Sequence, residues 1–123
     1  MTPKKSPAFL GYSQLFLNSV NLIKNGRIQK FEYTTELAWK VSKAFIEIRL
    51  GIVSNSPKEI YRIMFQNKLI NEKLFHDLLE TIDDRNHVSH IYHEEAYDLI
   101  YKELPNHLKS LENLQTILNA TYV

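Results

Sequence analysis

The sequence predicts an all-α fold, an antiparallel helical bundle of four long helices plus a short helix. Glycine is rare, with 3 in 123 residues, and the alternation of apolar and polar residues that is typical of strands is scarce. Apolar residues instead recur at spacings of three and four, which is the period of an amphipathic helix. Short connections between such helices favour antiparallel neighbours. The length fits one domain, so we expect residues 1–123 to form a single helical bundle domain.

The first two predicted helices occupy the N-terminal half of the chain. The first runs from about Ala8 to Lys24 and is followed by Asn25 and Gly26, which tolerate the left-handed conformation that ends helices. The second spans about Gln29 to Leu50 and ends at Gly51. Its apolar surface is wide, so we expect it to be buried against more than one helix.

The next two helices have clear start signals. Ser56-Pro57-Lys58-Glu59 combines a capping serine, a proline in the first turn and a glutamate that completes a capping box. The short helix that follows carries Ile60, Tyr61, Ile63, Met64 and Phe65. Asn71 is a candidate cap for a fourth helix, which has Arg85 at the end of its buried line Leu74, Leu78 and Ile82.

The last predicted helix begins near Glu94, and Pro105 is expected to kink it. Its apolar line comprises Ile100, Leu104, Leu108, Leu111 and Leu118.

Composition and charge restrict the class of protein. With 44% hydrophobic and 24% charged residues, the chain is typical of soluble globular proteins. A net charge of +1 gives no support for broad duplex binding. The absence of cysteine excludes disulfides and thiolate metal sites. Polar residues interrupt the apolar N-terminal stretch, so it is typical of neither a signal peptide nor a membrane span, and we expect a cytoplasmic protein.

One polar stretch, DRNHVSHIYH at residues 84–93, follows an ordinary apolar run. Arg85 lies seven residues after Leu78, so it projects toward the side that the apolar residues occupy. A guanidinium group there keeps its charge and needs an anionic or hydrogen-bonding partner. That partner could be internal, either Asp83, Asp84 or a carboxylate on another helix. It could also be a bound anion.

Two further residues of this stretch extend the candidate site. Asn86 and His90 share a helix face because they are four residues apart. Arg85 lies about 140° around the helix from His90, but its side chain is long enough to reach around. Arg85, Asn86 and His90 could therefore converge on a phosphodiester, with a fixed cation for the phosphoryl oxygens and an imidazole for proton transfer.

The spacing of His87, His90 and His93 also suggests a metal site. These positions spread over roughly 120° of a helix, which is poor convergence for one small ion. No carboxylate stands in register to complete the ligand set. We therefore expect no metal and no cofactor, with His87 and His93 mostly exposed; His76 and His107 receive no functional interpretation.

Two aromatic residues have structural interpretations when they are considered alone. Tyr92 is typical of an amphipathic residue at the edge of a core. Trp39 is more often a core or interface anchor than a ligand platform.

Two motifs together carry a resemblance to a known family. Residues Arg85 to Tyr92 match RxxxxHxY, the signature of HEPN-superfamily proteins of the HepT type, including the polar residue after the arginine. The stretch FEYTTELAWK, residues 31–40, resembles the second-helix signature of the nucleotidyltransferase substrate-binding protein family. Proteins of that family are encoded next to a separate minimal nucleotidyltransferase and bind it. The resemblance covers nearly the whole chain.

This resemblance implies a five-helix bundle that forms a homodimer, with the motif helices of two subunits facing each other across a cleft. In catalytic HEPN proteins the arginine and the histidine of the motif support metal-independent RNA cleavage. By resemblance, Arg85 would be the phosphate clamp, His90 the general acid and base, and Asn86 a polar aid. In HepT-type pairs the nucleotidyltransferase adenylates the motif tyrosine, here Tyr92, and so silences the nuclease.

Three hypotheses follow. In the first, the chain is a non-catalytic or HEPN-type partner subunit of a minimal nucleotidyltransferase. It binds that enzyme and a nucleotide or other substrate within a two-gene toxin–antitoxin-type module. In the second, the chain is a metal-independent HEPN ribonuclease toxin that adenylation of Tyr92 silences, because the added phosphate repels RNA. In the third, it is a helical interaction module whose polar motif is structural.

Overall fold

The computed structural model describes residues 6–23, 28–90 and 94–122, which form five helices and, within these ranges, no strand. The side chains of residues 21–23, 28–29, 89–90, 94–97 and 121–122 lie outside the description. The helices are α1 (Pro7–Ile23), α2 (Ile28–Leu50), α3 (Pro57–Gln66), α4 (Glu72–His90) and α5 (Glu94–Tyr122). The predicted all-α bundle of four long helices and a short one is confirmed. None of these helices, over the residues described, is long and apolar enough to cross a membrane.

Helices α1 and α2 run antiparallel and pack closely. The ring of Phe9, near the start of α1, lies 6.4 Å from the ring of Phe45, near the end of α2. At the opposite end, the buried hydroxyls of Ser19 and Thr34 form a hydrogen bond. This bond explains how the buried face of α1 accommodates a serine, since a buried hydroxyl needs a partner.

The end of α2 is set by a glycine, as predicted. Gly51 has a φ of +68°, a left-handed conformation that is strained for residues with a Cβ atom. Its N–H donates to the Glu47 carbonyl oxygen at 3.1 Å, which satisfies a terminal carbonyl of the helix. The chain then turns through residues 51–56 into α3.

The start of α3 follows only part of the predicted capping box. Ser56 is the N-cap and its Oγ accepts a hydrogen bond from the Glu59 N–H at 3.4 Å. The Glu59 carboxylate pairs instead with Arg62 at 2.8 Å. The Ser56 N–H donates to Ser54 Oγ at 3.3 Å, so another side chain takes the place that the box gives to Glu59.

Helix α4 begins and packs as the sequence predicts. Asn71 Oδ1 accepts a hydrogen bond from the Leu74 N–H at 2.8 Å, so Asn71 is the expected cap. Leu74, Leu78 and Ile82 are all buried. Their line fixes the rotation of α4 and places Arg85, one turn further on, at the edge of the core.

Helix α5 continues through Pro105, which lies on its exposed side. The expected kink stays a prediction. Four of the five residues on the predicted apolar line are buried, Leu108 is half-buried, and Leu114 is buried as well.

His107 joins α5 to the helix that carries Arg85. It is 3% exposed, and its Nε2 lies 2.6 Å from Asp84 Oδ2. On α2, the ring of Phe31 stacks on the imidazole with centroids 5.0 Å apart and planes 16° apart. Three helices therefore meet at one histidine, whose partner Asp84 directly precedes Arg85 in the sequence.

Replacing His107 by leucine should destabilise the protein measurably. The change removes the partner of a part-buried carboxylate, and a lost hydrogen bond of this kind costs about 1–3 kcal/mol. Thermal and urea unfolding measure this free energy. His76→Leu is the matched control, because the His76 side chain is 61% exposed and lies 3.6 Å from the exposed Glu72; we expect a change below about 0.5 kcal/mol there. Equal losses in the two variants would contradict the structural role of His107.

Candidate functional site around Arg85

The Arg85 side chain occupies a half-buried position between α4 and α2. Its Nη2 lies 3.3 Å from Glu36 Oε2, and its Nη1 donates to Asn86 Oδ1 at 3.3 Å. The side chain is 35% exposed. Both distances are slightly longer than the optimum for charge-assisted hydrogen bonds. The guanidinium group is thus oriented by two neighbours, and part of it still faces solvent.

Glu36 is the internal partner because the nearer carboxylates pair elsewhere. Asp83 Oδ1 lies 2.6 Å from Lys58 Nζ on α3, and Asp84 pairs with His107 on α5. Of the alternatives that the sequence left open, the structure selects a carboxylate on another helix. Glu36 belongs to the 31–40 stretch, so the two motifs of the sequence are in direct contact.

The charges around Arg85 are close to balance, with a small positive excess. Lys40 Nζ lies 4.0 Å from Glu36 Oε1, so this carboxylate is shared between Arg85 and a lysine one turn further along α2. With Lys58 and Asp83 included, three cations stand against two carboxylates, and the neighbouring Asp84 pairs with His107. A small anion could therefore add to the cluster without meeting a net negative field.

A groove of about 390 Å³ opens beside Arg85. It lies between α2, the start of α3 and the last third of α4, and it is lined by Glu36, Trp39, Ser56, Pro57, Lys58, Ile82, Arg85 and Asn86. The two motif residues Arg85 and Asn86 are therefore on one wall, and the half-buried Trp39 lies on another. These lining groups can bind a phosphate and an aromatic ring. None of the described lining residues is a histidine that could transfer a proton.

The structure describes the side chains of two of the four predicted site residues. Arg85 and Asn86 are brought together at the groove, as the sequence predicts. His90 is the last residue of α4, and its side chain lies outside the description. Tyr92 lies in residues 91–93, outside the described residues. The roles of His90 and Tyr92 stay predictions.

Metal binding finds no support in the described part of the chain. Over residues 6–23, 28–90 and 94–122, no three side chains of the metal-ligating types form a group that could hold an ion. His87 is exposed, as expected, and His93 lies outside the described residues.

Tyrosines other than Tyr92 differ in whether they could react. Tyr61 is fully buried, and this burial raises the pKa of its hydroxyl well above the ordinary range. It is a neutral part of the core at physiological pH and a poor target for modification. Tyr33 and Tyr101 are 49% and 52% exposed and lie outside the motif.

Several solved structures share this fold. A protein from Thermus thermophilus is 24% identical, with a TM-score of 0.73 over 89% of this chain and 98% of that one. A tri-AMPylated HEPN toxin from Shewanella oneidensis, in complex with an MNT antitoxin, has 15% identity and a TM-score of 0.80 over 94% and 99%. A toxin–antitoxin complex with AMP-PNP has 14% identity and a TM-score of 0.79 over 93% and 99%. At such identities the similarity establishes the fold.

The family is established by the sequence itself. No curated protein matches the chain significantly. Residues 12–120, however, match the model of the family described as nucleotidyltransferase substrate binding protein like. This range contains both the 31–40 stretch and the Arg85–Tyr92 motif. The chain therefore belongs to the nucleotidyltransferase substrate binding protein like family.

Proposed function

We propose that this chain is a cytoplasmic, single-domain partner subunit of a minimal nucleotidyltransferase, in a two-gene toxin–antitoxin-type module. The family match over residues 12–120 carries the proposal. Proteins of the same fold occur in solved toxin–antitoxin complexes, one of them as a tri-AMPylated HEPN toxin bound to an MNT antitoxin. The chain binds the nucleotidyltransferase, and it binds a nucleotide through the segment from Arg85 to Tyr92.

The geometry at Arg85 supports binding of a phosphate group. A guanidinium group has five N–H donors, and Glu36 and Asn86 lie near two of its nitrogens at 3.3 Å. An arginine can therefore donate two parallel hydrogen bonds to a phosphate while it keeps an internal partner. Glu36 then acts as the group that orients Arg85.

Exposed apolar side chains on other helices support association with partner chains. Leu10 and Leu17, on one line of α1, are 46% and 41% exposed, and Leu99 on α5 is 66% exposed. Exposed apolar side chains of this size favour association. A homodimer and the complex with the nucleotidyltransferase are both parts of the proposal.

A second candidate function is metal-independent RNA cleavage. The proximity of Arg85 and Asn86 at an open groove favours it. In this mechanism Arg85 stabilises the charge that develops on the phosphoryl oxygens, Asn86 orients Arg85, and His90 transfers the proton. The two functions are compatible, because a ribonuclease can also be the target of its partner enzyme.

Adenylation of Tyr92 would link the two functions. The Tyr92 hydroxyl oxygen attacks the α-phosphate of ATP, loses its proton and forms an O–P bond, while the bond to pyrophosphate breaks. The product carries a phosphodiester negative charge close in sequence to Arg85. That charge competes with the phosphate of RNA for the same cation.

Co-expression with a minimal nucleotidyltransferase, which the proposal expects to be encoded beside this gene, tests the first proposal. We expect the two chains to co-purify as one complex, whose composition light scattering after gel filtration determines. Arg85→Ala should preserve this complex, because the proposal assigns Arg85 to nucleotide binding and the exposed leucines of α1 and α5 to association. An unrelated nucleotidyltransferase from the same genome is the control. A folded chain that binds neither enzyme would contradict the partner role.

Cleavage of a mixed RNA in excess EDTA tests the second candidate. The unmodified chain should cleave RNA, and Arg85→Ala and His90→Ala should each lower the rate by about a hundredfold or more. His76→Ala, a change at an exposed histidine on α4, should leave the rate unchanged. Absence of cleavage by a folded chain, whose mass shows an unmodified Tyr92, would reject the ribonuclease and leave the partner role standing.

A further inference from the structure

Trp39 occupies an unusual place for the only tryptophan of the chain. It is half-buried on α2 and lines the groove of Arg85. It also lines a second cavity, of about 210 Å³, whose other lining residues are Ala8, Tyr12, Lys40, Lys43, Ala44 and Glu47. Trp39 therefore packs against the core and also borders two open cavities.

Cationic side chains line both of the cavities that Trp39 borders. Arg85 and Lys58 line the first cavity, and Lys40 and Lys43 line the second. Lys40 Nζ is 6.0 Å from the centre of the indole ring, at the limit of a cation–π contact. Each cavity beside Trp39 thus has two cations among its lining residues.

The cations at these two cavities outnumber the carboxylates. Glu36 is shared by Arg85 and Lys40, and Asp83 pairs with Lys58. Lys43 bonds to the neutral side-chain amide of Asn55, and no carboxylate among the described residues forms an ion pair with it. Glu47 lines the same cavity and lowers the positive charge there without cancelling it.

An aromatic side chain between cationic positions is the arrangement by which proteins hold single-stranded nucleic acids. The base stacks on the ring, and the cations take the phosphates on either side. Arg85 supplies the phosphate position in the first cavity, and Lys43 supplies a position for a neighbouring phosphate in the second.

We propose that Trp39 is the stacking platform for the base of a nucleotide whose phosphate is held at Arg85. This inference rests on the proposed nucleotide binding at Arg85 and names the second half of that site. The occupant is either a free nucleotide or one nucleotide of single-stranded RNA, which continues over Trp39 toward Lys43.

The intrinsic fluorescence of the chain reports on this site directly, because Trp39 is the only tryptophan. We would titrate the unmodified chain with AMP, with ribose 5-phosphate, and with a short 2′-O-methyl oligoadenylate that resists cleavage. AMP and the oligonucleotide should quench Trp39, and ribose 5-phosphate, which has no base, should not. Tighter binding of the oligonucleotide than of AMP would assign a strand as the occupant. Equal affinities would assign a free nucleotide.

Calorimetry on variants separates the base from the phosphate. Trp39→Leu should weaken AMP binding by roughly five- to a hundredfold, the range for loss of one stacked base, and leave ribose 5-phosphate binding unchanged. Trp39→Phe should retain part of the affinity, because a smaller ring still stacks. Lys43→Gln should weaken oligonucleotide binding only, and Lys73→Gln, at an exposed lysine paired with Asp77, is its control.

Two results would overturn the platform. One is equal affinity for AMP and ribose 5-phosphate in the unmodified chain, and the other is unchanged AMP affinity in a folded Trp39→Leu variant. Failure of the proposed nucleotide binding gives a different result. None of the phosphate-containing probes would bind specifically, and Arg85→Gln would leave their affinity unchanged. Binding to the nucleotidyltransferase is measured separately, by co-purification.

Discussion

The contact between Arg85 and Glu36 is the constraint on which the candidate site depends. A guanidinium group at the edge of a core cannot lose its charge, so it requires an anion. Glu36 supplies one from α2 at 3.3 Å, and in doing so it joins the two sequence motifs of the chain. The solvent-facing part of the Arg85 guanidinium group can then bind a phosphate, and Glu36 balances its charge when the site is empty.

The two carboxylates next to Arg85 in the sequence form ion pairs with other helices. Asp83 is held by Lys58 on α3, and Asp84 is held by His107 on α5. These two pairs connect α4 to α3 and to α5. The last third of α4 is consequently positioned by charge pairs as well as by the buried line through Leu78 and Ile82.

The helices followed from local signals, whereas the partners of the site residues did not. Gly51, Ser56 and Asn71 end or begin helices by interactions within a few residues, so the sequence predicts them directly. The Glu36 contact joins residues far apart in the chain, and the sequence left it as one of several alternatives. His107 has no motif around it, and only the packing of α2, α4 and α5 shows why it is buried.

A double-mutant cycle of Glu36→Gln and Arg85→Gln tests the central claim most directly. Because both side chains are about one-third exposed, we expect their coupling in the free energy of unfolding to be about 0.5–1 kcal/mol. The exposed pair Lys73–Asp77 on α4 provides the reference cycle, and its coupling should be smaller. Additive effects of the Glu36 and Arg85 changes would contradict a direct contact between the two motifs.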